Sequence, residues 1–274
     1  MKKKTLAKVI SHECLQPGIY DMWLATELAE EAHPGQFIGV YTSDASKILP
    51  RPISICQINK GKDGAALRLV YRVSREGAGT DNISKYKAGD EVYILGILGN
   101  GYDLEKMADK DVVIMGGGIG VPPMLELTRS LVEAKKAGTV AYKSISVVLG
   151  YRDSNMFLKD DFAALEGDDV KLYIATEDGS VGTRGNVINA CAEQNITGDV
   201  VCACGPMPML RAIVGWSKEH NMKAYISLEE RMACGVGACL GCITKTKEID
   251  DHSHVYNARI CTDGPVFDAD DLEL

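Results

Sequence analysis

No run of residues in this sequence is apolar for long enough to span a membrane. The opening stretch MKKKTLAKVISHEC is positively charged, but no apolar segment follows it. A secretory signal is therefore not expected, and a cytoplasmic location is. Basic charge is also in short supply. Against 38 Asp and Glu stand 30 Lys and Arg, a net charge of −8, which argues against nucleic acid or an anionic membrane as the main partner. There is no internal repeat and no low-complexity linker, and no acid–base pair or activated nucleophile stands out.

Length and cysteine are what the sequence does have. Its 274 residues suggest two domains with a remainder, enough to bury a core without disulfide staples. Nine cysteines in a reducing compartment are expected to be reduced, ligating or buried rather than bridged.

Residues 1–104 read as short antiparallel strands separated by glycine-rich breaks, which fits a small barrel or sandwich. In ALRLVYRVS (66–74), Leu67, Leu69, Tyr71 and Val73 share one face and Arg68 and Arg72 the other, with Val70 as the exception. Over 105–225 the pattern changes. DVVIMGGG, SISVVLGY, VKLYIATED, DVVCACG and KAYISL read as strands. Between them lie the helical segments PPMLELTRSLVEAKKAG, KDDFAALEG, GNVINACAEQN and MPMLRAIVGWSKEH. That alternation implies right-handed βαβ units and a doubly wound parallel sheet. The remainder, 226–274, is too short to own a core, so a metal centre there would also be structural. The expected fold is thus a β-barrel domain, an α/β domain and a small C-terminal metal-binding segment.

Three places carry chemistry. In MGGGIGVPPM (115–124), Gly116, Gly117, Gly118 and Gly120 separate a strand from a helix, a place where backbone amides can cradle a pyrophosphate. Val121 replaces the third glycine of the usual spacing, so a plain tight turn is the alternative. In RPISI (51–55), Arg51 beside Pro52 offers a rigid cation for a phosphate, and Ser54 a hydroxyl for a ring nitrogen. Gly77, Gly79 and Thr80 offer amides and a hydroxyl to the same phosphates. Taken alone, this stretch reads more simply as a turn and a surface loop. Third, Cys234, Cys239 and Cys242 are spaced C-x4-C-x2-C, and Cys261 follows after 18 intervening residues. This is the plant-type spacing for a 2Fe–2S cluster. A four-cysteine zinc site is the alternative, though it usually shows two C-x2-C pairs. Cys204, in CGPMPM, stands where ligands meet a doubly wound sheet, or is a buried cysteine. Cys14, Cys56, Cys191 and Cys202 are expected to be packing residues, and His252 and His254 to lie on an exposed loop.

In order, R-P-x-S at 51–54, G-G-G-I-G-x-x-P at 116–123 and C-G-P-x-x-M at 204–209 resemble the ferredoxin–NADP reductase superfamily. The tail, LEERMACGVGACLGC (228–242) and CTDGPVFDADDL (261–272), is similar to that of the electron-transfer subunits of NAD-dependent dihydroorotate dehydrogenase B. The resemblance covers nearly the whole chain. It implies FAD on the barrel, with Arg51, Pro52, Ser54, Tyr71, Gly77, Gly79 and Thr80 holding it. It implies NAD(H) at Gly116, Gly117, Gly118 and Gly120, its nicotinamide flanked by Cys204, Gly205 and Pro206. Ser54 and Cys204 would stand nearest the reacting atoms. Cys234, Cys239, Cys242 and Cys261 would bind a 2Fe–2S cluster. R-E-G-A-G-T departs from the resemblance near its front, where Lys or Gly is commoner, which puts only details of phosphate contact in doubt. The implied partner is an FMN-containing catalytic subunit, two copies of each chain, working in pyrimidine biosynthesis. Electrons would run from dihydroorotate through that partner, the cluster and FAD to NAD+. A small subunit of an NAD(P)H-dependent ferredoxin or sulfide oxidoreductase shares this layout, but its first cluster ligand is often Asp. A zinc-stabilised nucleotide-sensing regulator, needing no flavin, is the alternative of another class. Arg152 could meet a 2′-phosphate and Asp153 a ribose hydroxyl, which leaves NADH and NADPH both open.

Overall fold

The N-terminal strands close on themselves. The computed structural model describes residues 2–61, 64–250 and 254–274. His252 lies outside them. β1 (Lys3–Gln16), β2 (Ile19–Ala25), β3 (Phe37–Val40), β4 (Arg51–Gly61), β5 (Gly64–Arg72) and β6 (Glu91–Leu98) form an antiparallel barrel in the order β1-β2-β5-β4-β3-β6. A short helix, α1 (Gly79–Ile83), follows β5. Alternation fills the interior: Leu67, Leu69 and Tyr71 of β5 pack with Met22, Ile55 and Ile94. β5 ends at Arg72, two residues before the expected limit, so Val73 is beyond it. Val70 breaks the alternation because its outward face is buried too, against Ile114 and Leu125 of the following domain.

That domain holds β7 (Asp111–Gly117), α2 (Val121–Ala137), β8 (Ser144–Tyr151), α3 (Lys159–Ala163), β9 (Val170–Thr176), β10 (Thr183–Arg184), α4 (Val187–Gln194), β11 (Val200–Cys204), α5 (Met207–Glu219) and β12 (Lys223–Ser227). The expected strands are all present. The strands from β10 to β12 run parallel, in the order β10-β9-β8-β7-β11-β12. α2 and α3 cover one face, burying Val121, Leu125 and Phe162. α4 and α5 cover the other with Ala190, Leu210 and Ile213, so the sheet is doubly wound. Local signals set the helix ends. Gly138 closes α2 in the left-handed region at φ 71°, and Asn186 makes a capping box with Asn189 at the start of α4. α3 is shorter than KDDFAALEG suggests, because the chain turns back into β9 with Gly167 N–H bonded to Val170 O at 3.0 Å.

The C-terminal segment adds a hairpin, β13 (Ile243–Lys245) with β14 (Asn257–Arg259), and one more strand, β15 (Val266–Asp268). β15 pairs antiparallel with β12 and extends the sheet's edge. Cys242, Ile260, Cys261 and Leu272 share one apolar core with the sheet, so the segment borrows a core it is too short to build. It also grips the barrel: Asn100 N–H donates to Gly264 O at 2.6 Å, and Asn100 Nδ2 to Asp263 O at 3.1 Å. Among the described residues no helix is long and apolar enough to cross a membrane.

Candidate functional site

At the barrel's edge, β3 and β4 pair with Phe37 opposite Ser54 and Val40 opposite Arg51. Ser54 is half-buried. Arg51 lies against the loop after β5 so closely that a Cβ on Gly79 would stand 2.0 Å from its Nε. The absence of a Cβ at 79 is what lets the guanidinium lie there, and Arg51 and the Gly77–Thr80 loop stand side by side. That loop is braced from within. Thr80 Oγ1 accepts from Ser74 N–H at 3.2 Å, and Asp81 accepts from Gly77 N–H at 3.1 Å. The Thr80 hydroxyl therefore already has a structural task. So has the Tyr71 hydroxyl, 2.9 Å from His12 Nε2, with its ring stacked on Tyr20 at 5.9 Å. Burial raises its pKa and keeps the phenol neutral.

Across the seam, β7 runs into the glycine turn and α2. Here each glycine answers a close approach. A Cβ on Gly117 would lie 2.3 Å from Met209 Sδ, and one on Gly120 only 2.3 Å from Cys204 O. The turn and the Cys204–Gly205–Pro206 stretch are therefore one surface, built where β7 and β11 end in register, Gly116 beside Cys204. Pro122 and Pro123 open α2 and have no N–H, so amides available to a phosphate come from the glycine turn itself. Cys204 is half-buried, next to Ser227 on β12, and burial pushes its thiol up to about 12. It stays a neutral thiol.

One residue of this surface was not singled out for it in the sequence. Arg72, at the end of β5, brings its Nη2 to 3.2 Å from where a Cβ of Gly118 would stand. An exposed guanidinium from the barrel thus lies over the glycine turn of the other domain. Only the fold joins positions so distant in sequence. Nearby, Asp153 accepts from the N–H and Nδ2 of Asn155, both at 2.8 Å, while Arg152 is exposed.

The four tail cysteines come together as two pairs. Cys234 and Cys239 are hydrogen-bonding neighbours near the surface, and Cys242 and Cys261 are neighbours in the core, 2 % and 1 % exposed. The loop aims amides at the outer pair: Val236 N–H reaches Cys234 Sγ and Gly241 N–H reaches Cys239 Sγ, each at 3.4 Å. Partial burial works against the Cys234 thiolate. The amides of Val236, Cys239 and Ala238, with the Cys239 side chain, outweigh it and bring that thiol down to about 7. For Cys261, burial and the adjoining Cys242 sulfur push the thiol up to about 12. Among the described residues no three His, Cys, Asp or Glu side chains converge as a single-ion site. Four neighbouring cysteine sulfurs, two of them receiving backbone amides, suit the C-x4-C-x2-C spacing of a 2Fe–2S cluster. Among the described residues all nine cysteines are free of disulfides. Cys56, Cys191 and Cys202 are packed inside as expected, while Cys14 is exposed on β1, its Sγ donating to Gln16 O. His254 is exposed.

A closed antiparallel barrel, a doubly wound parallel sheet and a tail that gathers four cysteines together define a ferredoxin–NADP reductase-like oxidoreductase. A solved structure of NADH-dependent reduced ferredoxin-NADP oxidoreductase has this fold, with a TM-score of 0.81 and 24% identity over 100% of this chain and 91% of that one. A Neisseria gonorrhoeae ferredoxin NADP+ reductase, solved with bound FAD and NADP, matches with a TM-score of 0.66 and 14% identity, covering 84% of this chain and 94% of that one. A family model for the oxidoreductase NAD-binding domain matches residues 114–215, and one for the iron–sulfur cluster binding domain of dihydroorotate dehydrogenase B matches 229–273. The electron transfer subunit of dihydroorotate dehydrogenase B (NAD(+)) from Geobacillus sp. (strain WCH70) is 38% identical over 100% of both chains. The subunit of the same name from Enterococcus faecalis is 38% identical over 100% of this chain and 99% of its own. The chain belongs to the family of dihydroorotate dehydrogenase B (NAD(+)) electron transfer subunits.

Proposed function

We propose that this chain carries electrons between NAD(H) and an FMN-containing, dihydroorotate-oxidising partner, through FAD on the barrel and a 2Fe–2S cluster in the tail. Residues 1–104, 105–225 and 226–274 are its flavin, nicotinamide and cluster parts. Two copies of each chain form the complex, in the cytoplasm. One observation carries this reading. A single apolar core contains Phe37 and Leu98 of the barrel, Met115 and Ala203 of the sheet, and Cys242 and Cys261 of the tail. Three stations held by one core keep fixed distances, which electron transfer needs.

The cofactors supply the redox chemistry: a nicotinamide gives or takes electrons in pairs, a cluster singly, and a flavin converts between the two. The protein's part is position and electrostatics. Arg51, with Pro52 fixing the backbone beside it, neutralises the FAD pyrophosphate at the Gly77–Thr80 loop. Ser54 has no protein partner for its hydroxyl among the described residues and offers it to the flavin ring. The Tyr71 backbone and ring line the same end. The amides of Gly116–Gly120 and the Arg72 guanidinium hold the nicotinamide dinucleotide's phosphates. Cys204, Gly205 and Pro206 shape the nicotinamide's seat, and the neutral Cys204 thiol adds bulk there without charge. Asp153, oriented by Asn155, takes the ribose hydroxyl and favours NADH over NADPH. Cys234, Cys239, Cys242 and Cys261 hold the cluster.

The test is a native, anaerobic pull-down of this chain from its own cells, with mass spectrometry of what co-purifies. A dihydroorotate-oxidising flavoprotein supports the proposal. A glutamate-synthase-like flavoprotein overturns the substrate and moves the chain to the ferredoxin or sulfide oxidoreductases.

A further inference from the structure

One buried carboxylate has no place in that account. Glu126, in the second turn of α2, is 4 % exposed. It faces the barrel, not solvent. Its Oε2 accepts from the backbone N–H of Ile58 on β4 at 2.9 Å, a hydrogen bond that ties α2 directly to the barrel. The strand is prepared for this. β3 pairs with β4 only from Arg51 to Ser54, so at Ile58, which is in register with Leu67 of β5 on one side, no strand lies along the other edge to take a main-chain donor. The carboxylate is prepared as well. Ser130 Oγ donates to Oε1 at 2.9 Å, and Arg129 Nη1 reaches Oε2 at 3.2 Å.

The two elements joined here are the two that carry the half-sites. β4 begins with Arg51–Ser54, and α2 begins where the Gly116–Gly120 turn ends. Ile58 is four residues beyond Ser54 and Glu126 six beyond Gly120, so the link lies about 13 Å along β4 from one half-site and about 9 Å along α2 from the other. Over so short a lever, an angular slip at the link reaches the reacting atoms almost undiminished. Elsewhere between the domains, Arg68 of β5 meets Asp161 of α3 at 2.6 Å and the Tyr102 hydroxyl donates to Ala203 O at 3.1 Å, and neither tie touches β4 or α2.

We propose that Glu126 is a positioning residue: by holding β4 against α2, it sets the distance and angle at which the nicotinamide meets the flavin. The inference rests on the functional reading above. When the acceptor is removed, the Ile58 N–H is buried without a partner, and the seam shifts to hydrate it. A displacement near 1 Å at reacting groups costs on the order of a hundredfold in rate.

The test uses the holoprotein, mixed rapidly with NADH and followed at flavin and long-wavelength charge-transfer absorbance. Glu126→Leu, with flavin and iron content unchanged, is expected to lower the hydride-transfer rate constant about tenfold or more. The NADH dissociation constant should stay the same, and the charge-transfer band should weaken. Glu126→Gln keeps an acceptor for Ile58 and should restore both rate and band. Wild-type kinetics in the Leu variant, or equal losses in Gln and Leu, would overturn the proposal. If the Leu variant does not fold, Ser130→Ala tests the same carboxylate more gently, and an unchanged band there counts against it. If NADH fails to reduce the wild-type flavin, the functional reading itself falls. Amide exchange at Ile58, protected in wild type and Glu126→Gln but not in Glu126→Leu, then decides the link alone, and equal protection in all three overturns it.

Discussion

At the scale of the residue, the site depends on side chains that are missing. Arg51 can lie on the loop after β5 only because position 79 has no Cβ, which would meet Nε at 2.0 Å. Gly79→Ala should push the guanidinium off its seat. The expected outcome is protein purified with FAD lost by well over half and iron retained, read from flavin and iron content per chain. Glu126 gives a second prediction. Burial raises its pKa from 4.5 to about 7, so the native state binds this proton more tightly than the unfolded chain does. A raised carboxyl pKa costs stability as pH climbs from the unfolded value toward the folded one, and the loss is complete above about 7. Glu126→Gln does not titrate. Its stability relative to wild type should therefore improve by about 1 kcal/mol between pH 6 and pH 8. Urea unfolding at the two pH values measures this, and a constant difference would refute it.

At the scale of the element, what was legible in the sequence is what is local. The glycine turn, the R-P-x-S strand and the cysteine spacing each lie within a few consecutive residues, and the strand–helix alternation follows from periodicity. What was not legible joins distant positions. Val70 looks like a flaw in an amphipathic strand until the second domain is seen to bury its outward face. Arg72 reaches Gly118 across the seam, and Glu126 reaches Ile58, with nothing in either local pattern to announce it. The least legible element is β15. Three residues of GPVFDADD carry no strong strand signal, and their place on the edge of the sheet is set by β12. Yet β15 is how the tail is fastened, with Phe267 opposite Ile226 and Lys223 Nζ 2.8 Å from both Asp268 and Asp270. A proline at the centre of this strand removes a donor and strains the ladder. Phe267→Pro should release iron to a chelator several times faster than wild type while FAD stays bound. Equal release rates would mean that the shared core, not the strand, secures the cluster loop.

At the scale of the whole molecule, the order of the stations is the functional statement. The outer pair, Cys234 and Cys239, is near the surface, and the inner pair is locked in the core shared with barrel and sheet. Around the outer pair lie exposed apolar side chains, Val236 at 41 % and Leu240 at 52 %. A loop of this kind gives a carrier one face toward solvent or a partner and the other toward the interior. The flavin and nicotinamide half-sites, by contrast, share no residue with the cysteine loop. Removing one outer ligand should therefore cut the molecule's function in two. In Cys239→Ser the sulfur that takes the Gly241 amide is gone, but every residue assigned to FAD and NADH is untouched. NADH oxidation by a small dye that takes electrons from the flavin should remain within about twofold of wild type. NAD+ reduction by dihydroorotate in the assembled complex should fall at least a hundredfold, since on the proposed route the cluster is the link between the partner and FAD. Loss of both activities would mean that the cluster is needed to hold the flavin half together. Retention of both would mean that electrons reach the flavin without the cluster, and the order of stations would have to be abandoned.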